Sequence, residues 1–133
     1  MKPASIALLS VFLLLSGCGF GAAVDSGRAA GDRFLELMAK GDYQQARELC
    51  SGLEFSEEAL KAFATDPGNA AMLKDYKGID WASGGQLETV DGQSTLRLPR
   101  SELKGKPGTT VVFSFQQQGN DWRIVGFALK SGK

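Results

Sequence analysis

Apolar positions along this chain fall into three regimes. Residues 6–15 are almost continuously apolar. From about residue 29 to residue 74 apolar residues recur three and four apart, which is a helical period. After Tyr76 they alternate, which is a strand period. In the helical part, Ala30, Phe34, Leu37 and Met38 share one face, while Asp32, Arg33, Glu36 and Lys40 share the other. The pattern predicts a helix over Ala29–Ala39, ended by Gly41. Asp42 suits the cap of a second helix, Tyr43–Cys50, with Tyr43, Ala46, Leu49 and Cys50 inward. Ser56 suits the cap of a third, Glu57–Ala64, with Phe55 and Leu60 spaced as a hydrophobic staple. Asp66-Pro67-Gly68 predicts its stop, and Asn69 a cap for a short helix over Ala70–Lys74.

The alternating part predicts five strands, two of them paired as a hairpin. Ile79–Ser83 reads as a strand. Leu87–Val90 and Ser94–Leu98 flank Asp91-Gly92, a tight-hairpin signal because both central residues must accept positive φ. Arg100–Gly108 reads as a polar connection. Thr109–Gln117 reads as a long strand with Val111, Phe113 and Phe115 on one face. Trp122–Lys130 closes the chain and is apolar on both faces, which predicts burial on both sides. Helices followed by antiparallel strands make an α+β fold.

The opening segment has the three parts of a secretory signal: Lys2, the apolar run Ile6–Leu15, and small residues before a cut site. The run is about half the ~20 residues that a spanning helix needs. Leu15-Ser16-Gly17-Cys18 resembles the lipobox of bacterial lipoproteins. That resemblance implies cleavage after residue 17, lipidation of Cys18 (acyl chains such as palmitate) and a cell-envelope protein. Two or more chains give stable anchoring where one does not. Gly19 stands where an aspartate would mark inner-membrane retention, so the resemblance implies the outer membrane, facing the periplasm. In a Gram-positive host it implies the outer leaflet of the only membrane. Residues 18–26, small and glycine-rich, read as the lipidated cysteine and a short tether reaching less than about 30 Å. Residues 27–133 then form one domain.

Charge narrows the function classes. The chain has 15 basic and 15 acidic side chains, and Lys2 leaves with the signal. That balance argues against a nucleic-acid partner. There is no histidine, so the commonest general base and metal ligand is missing. No spacing suggests a metal site, and nothing calls for a cofactor. With Cys18 lipidated, Cys50 has no partner for an internal disulfide. Its place on a helical pattern fits burial, and without a histidine neighbour a catalytic thiolate is disfavoured.

Phe34-Leu35-Glu36-Leu37-Met38, followed by Lys40-Gly41-Asp42-Tyr43-Gln44-Gln45-Ala46, resembles the helix, corner and second helix of the NTF2-like (cystatin-like) superfamily. Asp121-Trp122-Arg123-Ile124-Val125-Gly126-Phe127 resembles its closing strand. The small lipoproteins of that superfamily are the most similar in kind. The resemblance implies N-terminal helices packed on a curved antiparallel sheet, forming a cone that holds a small apolar ligand in some members and an active site in others.

Two classes of function follow. One is a non-enzymatic binding or accessory domain for an envelope protein partner or a small apolar ligand, with a homodimer through the open sheet face as a further arrangement. The other is a small isomerase- or hydrolase-like enzyme, which needs a carboxylate base beside an oxyanion donor. The candidates are Asp80, Tyr76 and Tyr43. Alternation sets Asp80 opposite Ile79 and Trp81, hence toward solvent if those two face the core. Trp81, Phe113, Phe115, Trp122 and Phe127 either line a pocket or fill the core. Arg97, Arg100, Lys104 and Lys106 form a basic stretch that suits either anionic headgroups or a solvated loop.

Overall fold

The computed structural model describes residues 19–132. The segment expected to be a secretory signal, and Cys18, therefore lie outside the described residues. Helix α1 spans Gly19–Lys40, which lengthens the expected helix by ten residues at its start. The segment expected to be a tether up to Ser26 is its first two turns, with Ala23 and Val24 buried. The cause is close approach. A Cβ on Gly27 would lie 2.8 Å from Leu96 Cδ2, and one on Gly31 would lie 2.9 Å from Phe113 Cε2. Glycines costly to a helix by propensity here let its backbone settle directly on the sheet.

The corner after α1 has the expected chemistry. Gly41 takes φ +82°, and the amides of Gly41 and Asp42 return to the carbonyls of Met38 and Leu37. Asp42 then caps helix α2, Tyr43–Glu48, accepting from the Gln45 amide at 3.2 Å. A 3₁₀ turn, Leu53–Phe55, leads into α3, Glu57–Thr65, capped by Ser56 through the Ala59 amide at 3.1 Å. The stop at residue 66 holds, but Asp66-Pro67 is also a start. Asp66 caps α4, Pro67–Leu73, and proline fills a first-turn position whose amide needs no partner.

The six strands are β1 Ile79–Asp80, β2 Gln86–Val90, β3 Gln93–Arg97, β4 Ser101–Leu103, β5 Thr110–Gln118 and β6 Asp121–Lys130. All their pairings are antiparallel. β6 runs along the whole of one edge of β5. β3 and β4 share the other edge in tandem, with Pro99 between them and the Leu98 amide donating to the Phe113 carbonyl. The residues expected to be a polar connection thus contain β4, whose Ser101 and Leu103 are buried. β1 is only two residues long, shorter than expected, and beyond it the Ala82 amide donates to the Ser101 hydroxyl at 2.9 Å rather than to a strand backbone. The hairpin turn is as expected, with Asp91 at φ +52° and Gly92 at φ +77°.

β6 is not buried on both faces. Ser114 pairs with Gly126 and Phe115 with Ile124, so Val125 is an extra residue in a β-bulge. The bulge changes parity. Trp122 and Ile124 before it face the same side as Phe127 and Leu129 after it, in line with Phe115, Phe113 and Val111 on β5. Its two apolar sets are two stretches of one inner face.

The core lies between that face and the helices. Phe34, Leu35, Met38, Val111, Phe113, Phe115 and Ile124 are essentially inaccessible to solvent. Phe34 meets Phe113 edge-on at 6.2 Å and Phe127 at 4.9 Å, and Phe63 meets Phe127 edge-on at 5.0 Å. Such pairs add about 0.5–1.5 kcal/mol each to the area they bury. α1 runs antiparallel to β5, since Gly27 lies over Phe115 and Gly31 over Phe113. The helix start is therefore at the end of the β5–β6 turn. No helix among the described residues is long and apolar enough to cross a membrane.

Candidate functional site

The residues singled out from the sequence do not surround one cavity. Phe113 and Phe115 fill the core, with Phe113 at 6.0 Å from the half-buried Trp81 ring. Trp81 abuts Gly31 on α1 and so closes the interior rather than opening it. Tyr43 lines a shallow groove with Gly41, Ala64 and Leu73 at the far end of α1. Tyr76 lies in a neighbouring groove with Glu36, Lys40 and Asp75.

The expected acid and oxyanion donor are apart. Asp80 is exposed on β1, where its strand partner is Glu102 on β4. Alternation with buried Ile79 puts it there. The Tyr76 hydroxyl donates to Asp32 Oδ1 at 2.5 Å. Burial, followed by the Asp32 carboxylate that accepts its proton, pushes the Tyr76 phenol well above its ordinary value. This hydroxyl is held as a donor to α1 and does not face Asp80.

Trp122 lies in a different place: an open cleft of about 370 Å³ between α1, the end of α2 and the β5–β6 turn. Ala29 and Ala30 of α1 line one side, Leu49 and Trp122 the other. Small residues on α1 leave the space that the indole borders. Arg123 at the rim donates to the Glu48 carbonyl at 2.9 Å and lies 3.8 Å from Asp121. An indole wall, a small apolar floor and a guanidinium at the rim suit binding of an apolar group that carries an acceptor. In the sequence Ala30 reads as a core-facing helix residue and Arg123 as part of the closing strand, and neither these nor Ser26 and Ala29 read as site residues. Alanines on a helix carry no signal of a cleft, and Arg123 reads as an ordinary strand charge.

Beside this cleft, Cys50 is buried, and its Sγ donates to the Ala46 carbonyl at 3.5 Å. Burial pushes the thiol up to about 12, against the opposing pull of the Arg123 guanidinium. It stays a neutral thiol at physiological pH, unsuited to nucleophilic work. Among the described residues no cluster of acidic or cysteine side chains could hold a metal ion. The basic stretch is dispersed. Arg97 is on the sheet opposite Ser114, while Lys104 and Lys106 belong to the β4–β5 connection, where Lys106 Nζ donates to the Ala71 carbonyl at 3.3 Å.

No model of a known protein family and no curated protein sequence matches this chain.

Proposed function

We propose that the chain is a bacterial envelope lipoprotein, lipidated on Cys18 and held at the outer membrane facing the periplasm. Its NTF2-like α+β domain acts as a non-enzymatic binding or accessory module for a protein partner or a small apolar ligand. The observation that carries the reading is Leu15-Ser16-Gly17-Cys18 at the end of the apolar run behind Lys2. The separation of Asp80 from Tyr76 supports binding over catalysis, since a base and a donor must converge on one substrate. The cleft beside Trp122 supplies an apolar wall for a ligand or a partner side chain.

The test is expression in a bacterium fed a labelled fatty acid. The wild type is expected to take up label and sediment with membranes, and Cys18→Ala to lose both properties. Label that persists in Cys18→Ala, or none in the wild type, overturns the anchoring. Native mass spectrometry of the envelope-purified protein tests the binding arm, with Trp122→Ala expected to lose any co-purifying mass.

A further inference from the structure

We propose that the anchored domain stands on its bilayer on one defined end, with Phe20 and Val90 in the interfacial layer and the lysine-bearing end turned away. The inference rests on lipidation of Cys18 and specifies what that anchor does to the domain. α1 begins at Gly19, so the lipid would join a residue directly next to the helix, with no slack between. Gly19, the residue that the lipidated cysteine would precede, is therefore already part of the domain.

Three features identify that end. Ser26 and Ala30 of α1 share a cleft with Asn120 and Trp122 of the β5–β6 turn, so the earlier turns of α1 are at or beyond it. Phe20 is seven residues before Gly27, about 10 Å further along the axis. The tip of the β2–β3 hairpin reaches the same level, because Gln93 Nε2 donates to the Gln117 carbonyl at 2.8 Å. Val90, paired with Gln93, is 58% exposed, and Phe20 is 44% exposed. Large apolar side chains left in water beside an attached lipid suit the headgroup boundary.

Charge decides which end and which lipids. Lys104 and Lys106 occupy the β4–β5 connection, at the opposite end of β5, roughly 27 Å from the β5–β6 turn at about 3.3 Å per residue. Lys77 lies beside Gly105 there. At the anchor end are Asp25 in the first turns of α1 and Asp91 in the hairpin turn, together with Asp121, which lies 3.8 Å from Arg123. A bilayer contact through the lysines would require the domain to turn over on an anchor without slack. The contact is apolar, so it resists salt, and the Asp25 and Asp91 carboxylates beside it disfavour anionic headgroups.

The experiment uses the acylated protein purified from membranes, in a Cys50→Ala background. A nitroxide is attached at Val90→Cys or at Lys104→Cys, and each sample is reconstituted in phosphatidylcholine vesicles. Collision with oxygen and with an aqueous nickel chelate is then compared. At position 90 the oxygen-to-nickel ratio is expected to exceed that at position 104 severalfold and to hold in high salt. Equal, water-like ratios at both positions, or protection at 104 alone, overturn the orientation. Intact mass of the same sample separates the two failures. Acyl chains present with both labels in water end the orientation alone, whereas no acyl mass ends the anchoring and the orientation with it.

Discussion

From Phe34 to Met38, α1 meets the sheet with large side chains; from Ala23 to Gly31 the same helix meets it with almost none. The C-terminal half fills the space under the sheet with Phe34, Leu35, Leu37 and Met38. The N-terminal half removes that space, and Gly27 and Gly31 bring the backbone against Leu96 and Phe113. Both halves bury apolar surface, but in the second nearly all of it belongs to the partner strands. The first arrangement fails by leaving a cavity, the second by admitting one extra carbon. Under the proposed anchoring, it is the close-packed half that follows the lipidated residue.

The two halves should respond differently to substitution. Phe34→Ala is expected to have the largest effect, a loss of about 3–5 kcal/mol from a cavity in a closed core, read by urea unfolding. Gly31→Val should cost about 1–3 kcal/mol by overpacking, because the new Cβ would lie 2.9 Å from the fully buried Phe113 ring and 3.0 Å from Trp81. Helix propensity alone predicts a gain for replacing a mid-helix glycine. A more stable Gly31→Val protein would mean that α1 does not sit so close.

The smallest effect is a difference in pH response. Tyr76 ties the C-terminal half to the β1 approach through Asp32, and its phenol is raised from 10.0 by burial and that carboxylate. The folded state holds this proton more tightly than the unfolded state. The contribution is therefore complete below pH 10 and is lost as pH rises beyond it. Unfolding midpoints of the wild type should fall more steeply above pH 10 than those of Tyr76→Phe. Parallel curves would show that the Tyr76–Asp32 bond does not distinguish the folded state.

The contrast within α1 also explains how legible the chain was. Its C-terminal half was plain from the period of Phe34, Leu37 and Met38. Its N-terminal half reads as a tether because alanine and glycine carry almost no hydrophobic period, and the reason for the glycines is on strands some 70 to 85 residues away. Ser56, Gly41-Asp42 and Asp91-Gly92 were legible because caps and tight turns are local chemistry. The bulge at Val125 was not, because alternation cannot signal an extra residue. Asp66-Pro67 reads equally as a stop and a start, since proline ends one helix and opens another by the same missing amide. Of the candidate site, the outward Asp80 followed from alternation with Ile79. The cleft at Trp122 did not, because it is formed by the smallness of Ala29 and Ala30 across a long-range contact.

Hydrogen exchange along residues 19–28, followed by mass spectrometry, tests most directly whether this segment is helix packed on the sheet. The first four amides of a helix have no partner within it, so residues 19–22 should exchange quickly. Ala23 to Arg28 should exchange slowly, with protection approaching that of Phe34. Exchange through Arg28 at the rate of an unstructured chain would restore a tether between Cys18 and the domain. It would contradict both the close-packed half of α1 and the fixed stance on the bilayer.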